Sequence, residues 1–185
     1  MALTSSNMPE LGLPAPDFTL PDTYGTPVSL SDFDSAAGLL VAFWCNHCPF
    51  VRHINAEFAN FAAEYQAKGL AVVAISANDV TTHAEDDPVN MRRMAEESGY
   101  VFPYLYDETQ DVARAFAAAC TPDFFLYDAD RRLVYRGRFD DATPGNDAPV
   151  TGSELRAAVD TLLTGLPIES AQNPSIGCNI KWRAG

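Results

Sequence analysis

Short apolar runs alternate along the chain with polar segments that contain glycine and proline. Leu39–Phe43 and Leu70–Ile75 are apolar at every position, which is typical of strands in a parallel sheet covered on both faces. Between them, from Pro49 to Lys68, apolar residues recur at steps of three and four. This spacing predicts one amphipathic helix that Gly69 ends. The order strand, helix, strand predicts two parallel strands joined by a crossover helix.

Later segments extend the same α/β pattern. The other predicted elements are a hairpin over 17–30, a helical turn at 31–34, helices over 89–98, 110–119 and 152–164, and strands over 102–106, 123–127 and 133–136. A turn-rich linker joins the last two strands and makes them an antiparallel pair. The predicted fold class is therefore an α/β sandwich with a mixed central sheet. We expect a single domain over 1–185, with an irregular N-terminal arm at 1–16 and a C-terminal tail at 166–185.

Charge and composition exclude several classes of partner. The 185 residues carry a formal net charge of −13, so nucleic acids and anionic membranes would be repelled. No apolar run approaches the ~18 residues of a membrane span. The N-terminus lacks the basic start and apolar core of a secretory signal. We therefore expect a cytoplasmic protein, in which structural disulfides are rare and the four cysteines indicate redox or metal chemistry.

The spacing of the cysteines favours redox chemistry. Cys45 and Cys48 form a Cys-x-x-Cys pair where the first buried strand meets the first long helix, as in a thioredoxin-like redox site. A structural zinc site usually shows two ligand pairs at matched spacing. Cys120 and Cys178 are far apart, and neither has a Cys or His close by in sequence. The sequence therefore predicts a redox site with no metal and no cofactor.

The position of Pro49 distinguishes the two thiols. Proline is favoured at the first position of a helix, which makes Cys48 the N-cap. A thiolate there is stabilised by unpaired N–H groups and by the helix dipole. With Cys45 as the N-cap, Pro49 would fall at the fourth helical position, where an N–H is needed. We therefore expect Cys48 to be the nucleophile. Cys45 is either its resolving partner, which we favour, or an inert buried residue.

Five further side chains are candidates for the site. His47 lies between the two cysteines, and Arg52 and His53 follow within about one turn of the predicted helix. Their positive charge would favour a thiolate. Solvated or core positions explain Arg52 and His53 as well, whereas His47 cannot lie far from the sulfurs. Cys120 and Cys178 are either additional redox thiols or packing residues, and the sequence leaves both alternatives open.

Pro122 is a second feature that bears on the site, and it lies directly before the apolar strand over 123–127. A proline lacks the N–H that a central strand needs, so it belongs at the beginning of that strand. A cis Thr121–Pro122 bond would present backbone to the active sulfurs, although cis bonds make up only ~5% of bonds preceding proline.

Four segments together resemble the thioredoxin superfamily, and more narrowly its peroxiredoxin-like AhpC/TSA branch: 11–33, 43–53, 121–125 and 174–182. The resemblance covers nearly the whole chain. It implies a thioredoxin fold with a cis proline at Pro122, and a substrate backbone that docks at Thr121 and Pro122. Glutathione or a thioredoxin system would then be the reductant. The oligomeric state, monomer or homodimer, stays open.

The thioredoxin strand motif Val-Asp-Phe-Trp aligns without a gap on Val41–Trp44. This alignment places Cys48 on the thioredoxin nucleophile, in agreement with the argument from Pro49. It also puts Ala42 where thioredoxin has its buried proton-relay aspartate. We therefore expect another group, His47 or water, to carry the proton.

The peroxiredoxin motif Pro-x-x-x-Thr/Ser-x-x-Cys fits neither cysteine. Upstream of Cys45 the matching positions are Gly38 and Ala42, and upstream of Cys48 they are Val41 and Cys45. The leading hypothesis is therefore a thiol–disulfide oxidoreductase that acts on protein or small-molecule disulfides. A thiol peroxidase with antioxidant activity is the alternative, and a non-catalytic redox sensor or binding module is the third.

Overall fold

The computed structural model describes residues 3–184, and a five-stranded mixed sheet forms its centre. Its elements are β1 (Leu3–Ser5), β2 (Thr19–Pro21), β3 (Pro27–Ser29), β4 (Gly38–Phe43), α1 (Pro49–Gln66), β5 (Leu70–Ser76), α2 (Pro88–Ser98), β6 (Tyr104–Tyr106), α3 (Asp111–Ala115), β7 (Cys120–Thr121), β8 (Asp123–Tyr127), β9 (Leu133–Gly137), α4 (Ser153–Leu163) and β10 (Ile176–Asn179). Short 3₁₀ turns occupy Leu30–Phe33 and Ala84–Asp86. The central strands run in the order β6-β5-β4-β8-β9.

The central sheet has the predicted mixed topology. β4 pairs in parallel with β5, and β5 in parallel with β6, whereas β8 is antiparallel to both β4 and β9. Every residue of β4 is buried, because apolar clusters cover both faces of the sheet. The aromatic ring of Phe58 on α1 lies 4.6 Å from that of Trp44 on one face. On the other face, the rings of Phe43 and Phe116 are 5.5 Å apart.

Helix α1 begins where the sequence predicts. Pro49 is its first residue and Cys48 its N-cap, so the strand-to-helix junction places the Cys48 side chain at the positive end of an 18-residue helix. The hairpin β2–β3 and the α2 helix that ends at Gly99 are also confirmed. Local sequence alone therefore places Cys48 at the N-terminus of α1.

Helix α3 is shorter than expected. It covers only Asp111–Ala115, whereas the Ala-rich pattern predicted 110–119. Gln110 and Ala117 have φ values of 66° and 54°, in the left-handed region that breaks helical geometry. The prediction was wrong because alanine content measures helix propensity but does not register the tertiary contacts that bend the backbone on either side.

The N-terminal arm and the C-terminal tail are more ordered than the sequence indicated. β1 lies within the arm and β10 within the tail, and with β7 they form a second sheet in the order β1-β10-β7. The predictions for Met1, Ala2 and Gly185 fall outside the described residues. Strands of two to four residues carry no periodic signal, which is why this sheet was missed.

None of the helices within residues 3–184 is both long enough and apolar enough to cross a membrane. The cytoplasmic location stays a prediction.

Candidate active site

The Cys48 sulfur lies at the centre of a buried cluster of polar groups. Its side chain is fully buried, and its Sγ is 2.7 Å from the Sγ of Cys178 and 3.2 Å from the backbone oxygen of Thr121. The neutral thiol can donate to that oxygen. The Cys48 thiolate can instead accept hydrogen bonds from the surrounding thiols and backbone N–H groups.

The surrounding donors make Cys48 the acidic thiol. Its pKa falls to about 5, chiefly because the Cys45 thiol donates a hydrogen bond to its sulfur, and this outweighs the opposing effect of burial. The Cys178 thiol and the backbone N–H groups of Val51 and Cys178 lower the pKa further. Val51 belongs to the first turn of α1, so the helix N-terminus adds to the effect of the neighbouring thiols on the pKa of Cys48.

Cys45 is the neutral partner in this arrangement. It is fully buried, and its Sγ is 3.1 Å from Oγ1 of Thr121. Burial first, and then its hydrogen bond to Cys48, raise the pKa of Cys45 well above its ordinary value. The two thiols of the Cys-x-x-Cys pair therefore have opposite protonation preferences, and Cys48 holds the charge.

The structure places Cys178 beside Cys48, although the two are 130 positions apart. Burial, followed by the neighbouring Cys48, raises the pKa of Cys178 to about 12, so its proton is available to the Cys48 sulfur. Cys120 is also buried, and burial raises its pKa above the ordinary range. Its sulfur lies 3.6 Å from the backbone oxygen of Pro122.

The Thr121–Pro122 peptide bond is cis, which confirms the expectation from the resemblance. Thr121 contacts both active thiols, through its hydroxyl to Cys45 and through its carbonyl to Cys48. Pro122 and the Cys-x-x-Cys pair, more than 70 positions apart, therefore meet at one site.

Asp86 is a buried residue of the site that sequence reasoning did not single out. One of its carboxylate oxygens accepts from the backbone N–H groups of Asn46 and His47, and the other from His47 Nδ1 at 2.6 Å and from Asn78 Nδ2 at 2.8 Å. Burial alone would raise the pKa of Asp86, but the hydrogen bonds from His47 and Asn78 outweigh it and the pKa lies below its usual value. The carboxylate thus holds the loop between the two cysteines.

Sheet topology explains the position of Asp86. This residue belongs to the acidic run Glu85–Asp87, which follows β5 in the chain. Because β4 and β5 are parallel and adjacent, the loops that follow them meet at the same edge of the sheet. A carboxylate after β5 is therefore placed to reach the backbone after β4.

The basic residues on α1 make different contacts. Arg52 is exposed on α1, and its Nε donates to the backbone oxygen of Asn46, so it braces the same loop. His53 is half-buried, and its Nε2 has no hydrogen-bond partner within residues 3–184.

Asp123 is a second buried carboxyl group near the site. It follows Pro122 directly and lies opposite Phe43 in the sheet. Burial raises its pKa to about 7, although backbone N–H groups and Ser6 oppose the shift. The Oδ2 atom of Asp123 accepts a hydrogen bond from the backbone N–H of Ala119, the residue before Cys120.

In the described part of the chain, one group combines three side chains of metal-ligating type. The Cys45 sulfur, a ring nitrogen of His47 and a carboxylate oxygen of Asp86 all lie within 4.8 Å of one another. The Asp86 oxygens are already occupied by four hydrogen bonds, and Cys45 favours the protonated form, whereas a metal requires the thiolate. The groups as they stand suit proton transfer, and the absence of a metal stays a prediction.

The lowered pKa of Cys48 predicts a pH-dependent stability of the reduced protein. Its pKa falls from 9 in the unfolded chain to about 5 in the folded one, so the stabilisation is complete above pH 9 and lost as the pH falls through 5. Within that window the slope reaches about 1.4 kcal/mol per pH unit. We expect the difference in unfolding free energy between wild type and Cys48→Ser, from denaturant titrations under reducing conditions, to grow from pH 5 to 9.

The comparison with Cys48→Ser cancels other groups that titrate in the same range. Because the pKa of Asp123 is raised, its contribution to the free energy of unfolding falls as the pH rises, but it falls equally in both proteins. The raised pKa values of Cys45 and Cys178 change the free energy of unfolding only above pH 9. A difference that stays flat between pH 5 and 9 would contradict a Cys48 thiolate.

Comparison with known proteins identifies the family. The model of the AhpC/TSA family matches residues 11–136, which is more than half of the chain. The chain belongs to the AhpC/TSA family. The matched segment includes β4, the Cys45–Cys48 pair and the cis Thr121–Pro122 bond of the site described above.

Three similar proteins place this AhpC/TSA chain more closely. A conserved protein of Geobacillus kaustophilus has a crystal structure with a TM-score of 0.98 and 51% identity, over 100% of this chain and 98% of that one. The thioredoxin domain of a thiol-disulfide oxidoreductase from Bacteroides vulgatus has a TM-score of 0.61 and 20% identity, over 81% and 98%. The thiol-disulfide oxidoreductase ResA of Bacillus thuringiensis is 21% identical over 131 residues, 71% of each chain. The thioredoxin-like fold and the redoxin family are therefore confirmed.

Proposed function

We propose that the protein is a thiol–disulfide oxidoreductase in which Cys48 is the attacking thiolate. One observation carries this proposal, namely a thiol at the N-cap of α1 with a pKa of about 5. At neutral pH this thiol is ionised, whereas an ordinary cysteine is mostly protonated. The name of the ResA relative is consistent with the same chemistry.

The reaction begins when the Cys48 thiolate attacks one sulfur of a disulfide. A mixed disulfide forms, and the other sulfur leaves as a thiolate. Cys45 then attacks the Cys48 sulfur, which releases the second substrate thiol and leaves a Cys45–Cys48 disulfide. A glutathione or thioredoxin system would reduce this disulfide to restart the cycle.

Cys45 must lose its proton before it can attack. His47 lies within 4.8 Å of the Cys45 sulfur, and Asp86 orients its ring through the bond to Nδ1. The Nε2 of His47 is buried and has no hydrogen-bond partner among the described residues, so it is free to accept a proton. The pair His47–Asp86 thus takes over the proton transfer for which thioredoxins use a buried aspartate at the position of Ala42.

An apolar cleft lies alongside the site and supports the binding of a partner chain. Phe50, Pro122, Phe139 and Ile176 contribute to its walls. Tyr104 does not contribute to this surface, because it is buried and its hydroxyl donates to Asn46 in the core.

Trapping of the mixed disulfide tests the proposal. In a variant with Cys45→Ser and Cys178→Ser, Cys48 lacks both neighbouring thiols. A mixed disulfide between Cys48 and oxidised insulin, whose intact disulfides it attacks, should therefore accumulate at pH 7 and be visible by mass spectrometry. The matched control adds Cys48→Ser and should form no adduct. Absence of an adduct on Cys48 in the first variant would overturn the proposal.

Thiol peroxidase activity is the second candidate, since the AhpC/TSA match and the full burial of Cys48 suit a small oxidant. Attack on hydrogen peroxide would give a sulfenic acid on Cys48 and release water. If the thiol consumes hydrogen peroxide no faster than free cysteine does, this candidate is excluded.

A further inference from the structure

The C-terminal strand β10 pairs with β7, which ends at the cis Thr121–Pro122 bond of the site. In this pairing Cys178 lies opposite Thr121 and Asn179 opposite Cys120. The fold therefore places Cys178 beside the backbone that contacts the Cys48 sulfur.

A glycine permits the close approach of the two strands. A Cβ atom on Gly177 would lie 2.0 Å from the backbone oxygen of Thr121 and 3.2 Å from Cδ of Pro122. No side chain can be accommodated there without displacement of one strand. Gly177 thus allows the adjacent Cys178 to reach the active sulfur.

The sulfur of Cys178 is in direct contact with the sulfur of Cys48. It lies 2.7 Å from the Cys48 sulfur, and a disulfide bond is ~2.05 Å long, so a shift of about 0.7 Å would bring the atoms to bonding distance. The backbone N–H of Cys178 also donates to the Cys48 sulfur, which fixes the direction of approach.

Hydrogen bonds on both sides of β10 hold Cys178 in this position. Before the strand, Ser175 accepts from the backbone of Ser6 and donates through its hydroxyl to the backbone oxygen of Gly137. After the strand, the backbone of Ile180 donates to Ala119, and that of Lys181 donates to Asn78. A thiol anchored in this way has a high effective concentration at Cys48.

We propose that Cys178 is a redox-active thiol that resolves the mixed disulfide on Cys48. The Cys178 sulfur attacks the Cys48 sulfur, the bond from Cys48 to the substrate sulfur breaks, and the proton of Cys178 leaves with the substrate thiol. The products are a Cys48–Cys178 disulfide and one reduced substrate thiol. Together with the first attack, one disulfide is reduced to two thiols while two cysteines of the protein are oxidised to one disulfide.

This step rests on the proposed function, because it needs the mixed disulfide that Cys48 forms. It gives Cys48 two resolving thiols, Cys45 from the preceding loop and Cys178 from β10. The pairing of Cys48 with Cys178 does not require Cys45. Removal of Cys45 should therefore leave a protein that still forms an internal disulfide.

Oxidised glutathione is the probe that tests this step. The reduced full chain is treated at pH 7, acid-quenched, alkylated, digested and mapped by mass spectrometry. In Cys45→Ser we expect a peptide that joins Cys48 to Cys178, with two molecules of reduced glutathione released per protein. In a variant with Cys45→Ser and Cys178→Ser that cross-link cannot form, so glutathione should instead remain attached to Cys48, at least ~10-fold more abundantly than in Cys45→Ser.

The outcomes distinguish this step from the proposed function. A stable glutathione adduct on Cys48 in Cys45→Ser, or a disulfide from Cys48 to Cys120, would overturn the role of Cys178 alone. An unmodified Cys48 in every variant would overturn both. Cys178→Ala provides a second replacement at the same position, and circular dichroism of each variant establishes that it is folded.

Discussion

Cys48→Ser is expected to reduce the rate of disulfide reduction by at least ~10³-fold, as removal of a nucleophile does in other enzymes. Cys48 is the one thiol of the cluster whose pKa is lowered, whereas burial raises the pKa values of Cys45, Cys178 and Cys120. None of these three would be ionised enough at neutral pH to take over the attack. Insulin reduction, followed with glutathione as the reductant, measures the effect.

Single replacements of the two resolving thiols provide the matched comparison. With Cys45→Ser or Cys178→Ser, the first attack by Cys48 remains, and the other thiol can still complete the cycle. Each single variant should therefore lose much less activity than Cys48→Ser. Should Cys48→Ser retain a rate within a few-fold of wild type, another thiol would be the nucleophile, and the assignment from helix capping would be wrong.

Gly177→Ala is expected to displace β10 and to cost about 3 kcal/mol of unfolding free energy, in the range of overpacked sites. The new Cβ would lie 2.0 Å from the backbone oxygen of Thr121 and 2.7 Å from its carbonyl carbon, and neither backbone atom can move freely because β7 and β10 are paired strands. Denaturant unfolding at pH 7 measures the loss. The Cys48–Cys178 cross-link should also fall by at least ~10-fold after treatment with oxidised glutathione.

The displacement of β10 should change the acidity of the nucleophile too. The Cys178 thiol and the Cys178 backbone N–H both lower the pKa of Cys48, so their withdrawal should raise it from about 5. The ultraviolet absorbance of the thiolate, followed against pH, reports this shift.

Gly145→Ala is the control for Gly177→Ala. A Cβ at Gly145 meets no atom within 4 Å, so we expect a change in stability of no more than about 0.5 kcal/mol. If Gly177→Ala were as well tolerated as Gly145→Ala, with an unchanged cross-link, the close packing of β10 against Thr121 would not be what positions Cys178.

The parts of the site that the sequence predicted depend on short-range rules. The apolar runs that form β4 and β5, and the three- and four-residue spacing that forms α1, are encoded within single segments. The assignment of Cys48 as the N-cap needed only the next residue, Pro49. Family resemblance then supplied the cis bond at Pro122, which residue patterns alone would have disfavoured.

The parts that the sequence did not predict depend on contacts between distant segments. Asp86 lies in an acidic run that has no periodic pattern. It is buried and accepts hydrogen bonds from the backbone N–H groups of Asn46 and His47 because parallel strands bring their following loops together. α3 is shorter than its alanine content suggests because its ends adopt left-handed backbone.

The sequence by itself determined the α/β framework and the place of Cys48 at the N-cap of α1, since strand burial, helix periodicity and helix capping each act over a few residues. Only the tertiary structure decided that β10 pairs with β7 and that Cys178 lies against Cys48. Two residue pairs join those strands, and such a short ladder leaves no periodic trace in the sequence. The partner thiol 130 positions away becomes apparent only when the sheet that holds it is formed.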